Sequence, residues 1–155
     1  EAGLLTTIPV ARWSLAGDWP EAVPAMPADV EHLETTSHFL DLDHTADGVA
    51  FALDVKLPFN TPINLVAMCG RPVRLWWNDE LVVDHTGPHA IPPVYRVGQA
   101  AGSRQIRRGE HRLTLAVAPG DAADIGQLYW VIGLGERRAK PGRWYTQAEF
   151  TRPRP

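Results

Sequence analysis

The chain of 155 residues is poor in cysteine and in lysine. Its one cysteine, Cys69, excludes an intrachain disulfide, so the fold must be stabilised by a hydrophobic core. Only two of the 15 basic residues are lysines, Lys56 and Lys140, and the formal net charge is -3. Because no dense basic motif is present, the sequence argues against nucleic-acid binding. No run reaches about 18 apolar residues, so no membrane-spanning helix is expected.

Motifs for catalysis are also absent. The sequence contains no G-x-S-x-G, no P-loop, no H-E-x-x-H and no G-x-G-x-x-G. Asp41 and Asp43 would share one face of a strand, but no neighbouring group marks either of them as a catalytic acid. The chain begins at Glu1 without a signal-like segment, and we expect a mature form or a fragment of a larger protein. The sequence therefore predicts a non-enzymatic accessory module.

What the sequence does contain is a series of short apolar segments, separated by 13 glycines and 14 prolines. The clearest strand covers residues 49–57, where alternate residues from Val49 to Leu57 share an apolar face. Asn78-Asp79 lies between two apolar segments and predicts a hairpin. About eight such strands predict an all-β protein, either an antiparallel sandwich or a barrel. A possible short helix is predicted for residues 29–34.

We predict one β-sandwich module over residues 1–136. Residues 137–155 are predicted to be a basic, proline-containing terminal extension or linker that packs on the module. Charge is unevenly distributed along the chain, with nine acidic residues and no Lys or Arg from Asp18 to Asp54. From Arg96 to Pro155 there are eleven basic and five acidic residues. Solvated faces are the ordinary interpretation of such runs.

Three segments carry motifs of one known family. In the first, residues 13–20 (WSLAGDWP), a strand leads into an aromatic-proline turn. The second, residues 73–82 (VRLWWNDELV), has the pattern of a Trp-containing hairpin. The third, residues 106–115 (IRRGEHRLTL), has the pattern of two strands joined by a turn. In order and spacing they resemble galactose-binding-like jelly-roll domains, as in carbohydrate-binding modules attached to glycoside hydrolases and polysaccharide lyases. The resemblance covers roughly residues 11–134 and implies an antiparallel jelly-roll β-sandwich. Asp79 and His111 depart from the usual Gly and Asn of that family.

Aromatic residues are the candidates for ligand binding. Six tryptophans are many for this length, and flat rings beside hydrogen-bonding groups suit sugars. Alternation over residues 73–77 places Trp77 in the core and Trp76 beside Arg74 on the opposite face. The other candidates fall in loops, where an arginine adjoins two rings. The predicted ligand-binding residues are Trp76, Arg74, Tyr95, Trp144, Tyr145 and Arg143.

The ligand expected at these residues is a polysaccharide or oligosaccharide. Arg71, Arg74 and Arg96 would suit an acidic sugar, because guanidinium groups bind carboxylates through two hydrogen bonds. A general preference of the genome for arginine explains the same residues without a ligand. For each aromatic ring the alternative is packing against a loop or a neighbouring domain.

A second candidate site is the acidic stretch at residues 41–48 (DLDHTADG), which has three carboxylates and a glycine. Oxygen-rich loops of this kind bind calcium, although the spacing is not that of an EF-hand. Jelly-roll modules of the resembled family often carry a structural calcium, which makes Asp41, Asp43 and Asp47 the candidate ligands. The alternative is an Asp-rich turn before a strand.

The sequence and the resemblance predict a non-catalytic carbohydrate-binding module that tethers a carbohydrate-active enzyme to polysaccharide. Its partners would be that polysaccharide and a catalytic domain of the same polypeptide, with no nucleic acid and no membrane. A secreted or extracytoplasmic location is expected. The alternative function is structural: a β-sandwich accessory domain that braces a catalytic domain and has no ligand of its own.

Overall fold

The computed structural model describes residues 8–35, 39–41, 47–68, 71–85, 101–120, 127–134 and 149–155. Within these ranges the regular secondary structure consists of β-strands. They are β1 (Ile8–Ser14), β2 (Glu31–Thr35), β3 (Phe39–Asp41), β4 (Val49–Leu57), β5 (Thr61–Met68), β6 (Val73–Trp77), β7 (Glu80–His85), β8 (Ala101–Ile106), β9 (Gly109–Val117), β10 (Gln127–Leu134) and β11 (Glu149–Thr151). Across the same ranges, no helix is long and apolar enough to cross a membrane.

The strands form two antiparallel sheets. The larger sheet has seven strands in the order β2-β1-β4-β9-β6-β7, and its seventh strand, β11, pairs with β4 beside β1. The smaller sheet has four strands in the order β3-β10-β5-β8. Ile63 and Leu65 of β5 share one apolar core with the larger sheet. The predicted all-β antiparallel sandwich is therefore confirmed.

The core of the sandwich follows from the alternation in β4, β6 and β9. The register places Phe51 of β4 opposite Leu115 of β9, which lies in turn opposite Leu75 of β6. These three side chains are at most 1% exposed, and Trp77 is also buried, as its position in the pattern predicts. Burial of each such side chain contributes about 1.5–3 kcal/mol, so the central strands supply much of the stability of the sandwich.

Residues 29–34 do not form the short helix predicted for them. Glu31–Thr35 is strand β2 at the edge of the larger sheet, paired with β1. Leu33 is the one residue of this strand that packs against the core as a partly buried hydrophobic side chain. The other apolar residue of the predicted segment, Val30, packs instead against a separate cluster around Trp13, so Val30 and Leu33 do not form one helical face and the pairing with β1 decides the conformation.

Strands β6 and β7 form the hairpin predicted at Asn78-Asp79. Asn78 has a φ of 53°, and among the described residues it is the one non-glycine with positive φ. Asparagine tolerates this left-handed conformation better than most residues do. The backbone N–H of Asn78 also donates to the carbonyl of Arg112 at 2.7 Å, which ties the turn to β9.

An exposed salt bridge joins the two sheets at their edge strands β7 and β8. Nε of Arg104 donates to Oε1 of Glu80 at 2.6 Å, and the two side chains are 38% and 56% exposed. We expect Glu80→Gln to lower the free energy of unfolding by less than about 1 kcal/mol, because solvent screens exposed pairs and ordering them costs entropy. Urea unfolding and a double-mutant cycle with Arg104→Gln would measure the coupling, and a value above about 2 kcal/mol would contradict this expectation.

Candidate functional site

The outer face of the larger sheet, which is turned away from the core, has a buried half. The strand registers arrange its side chains in rows across β1, β4, β9 and β6. Two of these rows are largely buried. One contains Trp13, Ala50 and Ala116 and ends at the partly buried Arg74, and the next contains Ala11, Ala52, Thr114 and Trp76; apart from Arg74, these residues are at most 8% exposed. An outer sheet face is buried to this extent where another segment of the chain covers it.

The covering segment is the proline-rich stretch of residues 15–30, which we call the strap. Leu15, Met26 and Val30 of the strap pack against a small cluster formed by Trp13 and three alanines of the sheet. Because alanine has no side chain beyond Cβ, the strap can approach the sheet closely. The strap contains no strand, in agreement with the loop that its prolines predict.

Arg74 anchors the strap to the sheet. Its Nη1 donates to the backbone carbonyl of Pro20 at 2.7 Å, and its guanidinium carbon lies 5.5 Å from the centroid of the Trp19 ring. Its Nε donates to Oδ1 of Asp84, the residue opposite it on β7, at 3.2 Å. These contacts engage the guanidinium within the chain, so Arg74 holds the strap in this structure.

Trp76 lies on the predicted face of β6, but this part of the face is closed. Its side chain is 1% exposed. The prediction that Trp76 offers an open ring for stacking on a sugar is therefore wrong. Alternation along a strand shows which face a residue occupies, but it does not show whether a distant segment covers that face. Arg71, proposed for an acidic sugar, is also buried, at 2% exposure.

The other half of the outer face is open and polar, and it forms the floor of a cleft of about 910 Å³. The floor is made by two cross-strand pairs of β4 and β9. Asp54 faces Arg112 in one row, and Lys56 faces Glu110 in the next. Central strands therefore position these charged groups, and their rigid backbone fixes the spacing between them.

The walls of the cleft come from parts of the chain that are far apart in sequence. Strap residues 23–26 form an apolar wall. A second wall is basic and belongs to the C-terminal segment, with Thr151, Arg152 and Arg154. The hairpin adds Asn78 and Asp79 at one end. We call this space, with its floor and walls, the cleft.

Arg112 is the centre of the hydrogen-bond network in the floor. Its Nε and Nη2 donate to Oδ1 and Oδ2 of Asp54 at 2.7 and 2.9 Å, an arrangement stronger than a single neutral hydrogen bond. Nη2 also donates to the backbone carbonyl of Arg154. The hydrogen bond that Arg112 donates to Asp54 raises the pKa of Arg112, and partial burial opposes this shift. The floor pair is thus neutral as a unit and holds the C-terminal segment.

We expect Arg112→Met to lower the free energy of unfolding by about 1–2 kcal/mol, and by the same amount at pH 7 and pH 10. The pKa of Arg112 is raised in the folded state. Its contribution is therefore fully present below the unfolded pKa and is lost only as the pH rises through the still higher folded value. Urea unfolding of both proteins at the two pH values checks this. The expectation would be contradicted if the wild type and Arg112→Met differed in free energy of unfolding at pH 10 by less than half of their difference at pH 7.

Asn78 and His111 form a second network beside the floor. Oδ1 of Asn78 accepts from the backbone N–H of Arg112 at 2.9 Å, which fixes the orientation of the amide. Nδ2 of Asn78 then donates to Nδ1 of His111 at 3.0 Å, and Nε2 of His111 donates to the carbonyl of Arg107 at 2.6 Å. The network assigns His111 as the neutral Nε2–H tautomer. With both ring nitrogens engaged, His111 is not placed to act as a general base.

Several predicted site residues lie outside the residues that the structure describes: Tyr95, Arg96, Arg143, Trp144, Tyr145 and Asp43. Asp41 belongs to β3, and Asp47 is exposed just before β4. In the described part of the chain, no group of three or more His, Cys, Asp or Glu could hold a metal ion. Calcium binding by Asp41, Asp43 and Asp47 therefore stays a prediction.

Sequence reasoning did not identify the cleft itself. The alternation in residues 49–57 places Asp54 and Lys56 opposite the core, and this alternation is the one feature of the sequence that points to the floor of the cleft. Which residues of β9 face them depends on strand register, and the strap wall depends on contacts between residues more than 50 positions apart, such as Arg74 with Pro20. Short-range patterns carry neither kind of information.

Among known proteins, no protein-family model matches the chain, and no curated protein matches it. The fold and the site therefore define the class by themselves. It is an antiparallel β-sandwich with an open polar cleft on the outer face of its larger sheet. Because sandwiches serve many unrelated functions, the function has to be argued from the cleft.

Proposed function

We propose that this protein is a non-catalytic carbohydrate-binding module, similar to galactose-binding-like jelly-roll domains, that tethers a carbohydrate-active enzyme to polysaccharide. The observation that carries the proposal is the open cleft of about 910 Å³ with a polar floor on rigid central strands. Binding sites for small polar molecules combine a concave shape with a few well-placed polar groups. Holding polysaccharide near a catalytic domain raises its effective concentration without any chemistry.

The groups that line the cleft match the hydrogen-bonding needs of sugars. A hydroxyl group both donates and accepts, so a sugar needs partners of both kinds. The exposed carboxylates of Asp79 and Glu110 accept, while Lys56 on the floor and the arginines of the C-terminal wall donate. The strap wall, residues 23–26 (VPAM), supplies apolar atoms for the C–H face of a pyranose ring.

The charges of the cleft lining nearly balance, so they do not select strongly for an acidic sugar. Three carboxylates and four cationic side chains line it, and one of each is paired as Asp54–Arg112. Two carboxylates, Asp79 and Glu110, and three cations, Lys56, Arg152 and Arg154, remain, so the lining carries a net charge of only +1. Arg71 and Arg74, on which an acidic ligand was predicted, are buried and engaged with the strap respectively.

The purely structural alternative has less support in the described residues. A domain that braces a neighbour needs an apolar docking surface, commonly several hundred Å². In the described part of the chain, the exposed large hydrophobic side chains are Phe59 and Leu81. They belong to a turn after β4 and to the edge strand β7, and two exposed apolar side chains at separate places are ordinary for a protein surface.

Calorimetric titration with galactose, xylose, rhamnose and uronate oligosaccharides, with and without calcium, tests the proposed function. We expect binding of a neutral oligosaccharide with modest affinity, because an open cleft leaves much of the ligand in water. We also expect Glu110→Gln to weaken this binding at least about fivefold through loss of a charged acceptor. Absence of heat with every saccharide, in both conditions, would refute the carbohydrate function.

Glu21→Gln is the matched control for that experiment. Glu21 is an exposed residue of the strap and does not line the cleft. The same chemical change there should leave the affinity unchanged. If both variants weaken binding equally, the effect comes from overall charge, and the cleft is not the site. Stronger binding of uronates than of neutral sugars would overturn the expectation of a neutral ligand while the carbohydrate function stands.

A further inference from the structure

Two arginines on the outer face of the larger sheet have the same arrangement. Arg74 joins the carboxylate of Asp84 to the backbone of the strap. Arg112 joins the carboxylate of Asp54 to the backbone carbonyl of Arg154, near the C-terminus. In both cases one guanidinium links a carboxylate on a neighbouring strand to a segment that borders the cleft. The second segment is residues 149–155.

Within the part of the chain that the structure describes, residues 149–155 are attached to the sandwich through a short strand pairing and two buried or partly buried side chains. Strand β11 pairs with β4 over three residues, whereas β4 and β9 pair over nine. Phe150 is partly buried against the core and Pro153 is buried, while the other five residues of the segment are exposed. Segments with few buried contacts open at a lower free energy than that of global unfolding. The attachment of this segment can therefore change separately from the rest of the fold.

We propose that residues 149–155 form a latch that opens and closes one wall of the cleft while the sandwich stays folded. Arg112 sets the closed population by donating to the carbonyl of Arg154. Thr151, Arg152 and Arg154 line the cleft, so opening of the latch removes its basic wall. The floor remains when the latch opens, because Nε of Arg112 keeps its own hydrogen bond to Asp54.

Substitution by lysine separates the two functions of Arg112. Lysine keeps the positive charge beside Asp54, but its single ammonium group cannot reproduce the fork that serves a carboxylate and a carbonyl together. Arg74→Lys is the matched control, since Arg74 makes the equivalent contacts to the strap. If each arginine holds its own segment, Arg112→Lys loosens the latch, and Arg74→Lys leaves the latch unchanged.

Native-state hydrogen exchange of the full chain measures these openings. In the wild type we expect the amides of residues 149–152 to exchange through a local opening of the latch. The free energy of this opening should hardly change at low urea concentrations, because the opening exposes little new surface. In Arg112→Lys we expect their exchange to be about tenfold faster, which is the effect of losing one charged hydrogen bond. Amides of residues 49–53 in β4 should be accelerated much less.

Three results would overturn the latch. The first is wild-type exchange of residues 149–152 that depends on urea as steeply as exchange of residues 49–53, which would mean that the segment opens by global unfolding. The second is equal acceleration of residues 149–152 by Arg112→Lys and Arg74→Lys. The third is an unchanged exchange rate of residues 149–152 in Phe150→Ala. This variant removes the apolar anchor of the latch but keeps Arg112, so it tests the latch even if Arg112→Lys fails to fold.

Discussion

Replacing Leu115 by alanine should lower the free energy of unfolding by about 2–5 kcal/mol. Leu115 is 1% exposed and lies between Phe51 of β4 and Leu75 of β6 in the central row of the core. The substitution leaves a cavity between strands that are hydrogen-bonded on both sides, so the neighbours cannot collapse into it without breaking the sheet. Urea unfolding followed by circular dichroism would measure the loss.

Leu81→Ala is the control for this prediction, because it removes the same atoms from a surface position. Leu81 lies on edge strand β7 and is 37% exposed. We expect a loss below about 1 kcal/mol there. Equal losses at the two leucines would mean that the larger sheet does not bury the face assigned to its core.

Replacing Asn78 by alanine should lower the free energy of unfolding by about 2–3 kcal/mol, in two parts. Alanine in the left-handed conformation, with the observed φ of 53°, costs about 1–2 kcal/mol. The substitution also removes the side-chain hydrogen bonds from Arg112 and to His111. Both hydrogen bonds are exposed to solvent, so each contributes about 0.5 kcal/mol, the low end of the usual range. The same unfolding measurement applies.

Two further variants separate these parts. Asn78→Gly removes the side-chain hydrogen bonds but tolerates the positive φ, so it should lose less stability than Asn78→Ala. Asn60→Ala is the matched control, since Oδ1 of Asn60 accepts one hydrogen bond, from the N–H of Arg108 at 3.0 Å, without a positive φ. If Asn78→Ala costs no more than Asn60→Ala, the turn is not under the backbone constraint described for it.

The fold could be predicted from the sequence wherever a strand has its own strong pattern. Alternation over residues 49–57 predicts both the strand and the face that it buries, and Asn78-Asp79 predicts the hairpin. These features are local, because the side-chain period of a strand is two and a tight turn involves adjacent residues. Strand β2 has one apolar residue on the core, Leu33, and its conformation depends on β1.

The candidate site depends on long-range contacts, and this is why sequence patterns could not predict it. Trp76 was expected to be open to solvent because it lies opposite the core. It is buried, on a face that also carries the strap, and Arg74 holds the strap through Pro20, 54 positions away. The floor of the cleft likewise needs Asp54 and Arg112 to meet across two strands. A pattern within one segment contains no information about such pairs.

The proposal that the cleft binds carbohydrate is decided by where a bound sugar perturbs the protein. We would titrate the full chain with a neutral oligosaccharide and follow its backbone amide resonances by NMR. Binding in the cleft should shift the amides of residues 54–56, 78–79, 110–114 and 151–152 far more than those of the core. Shifts confined to other surfaces, such as the shallow hollow around Phe59 and Arg108, or no shifts with any saccharide, would contradict the proposal.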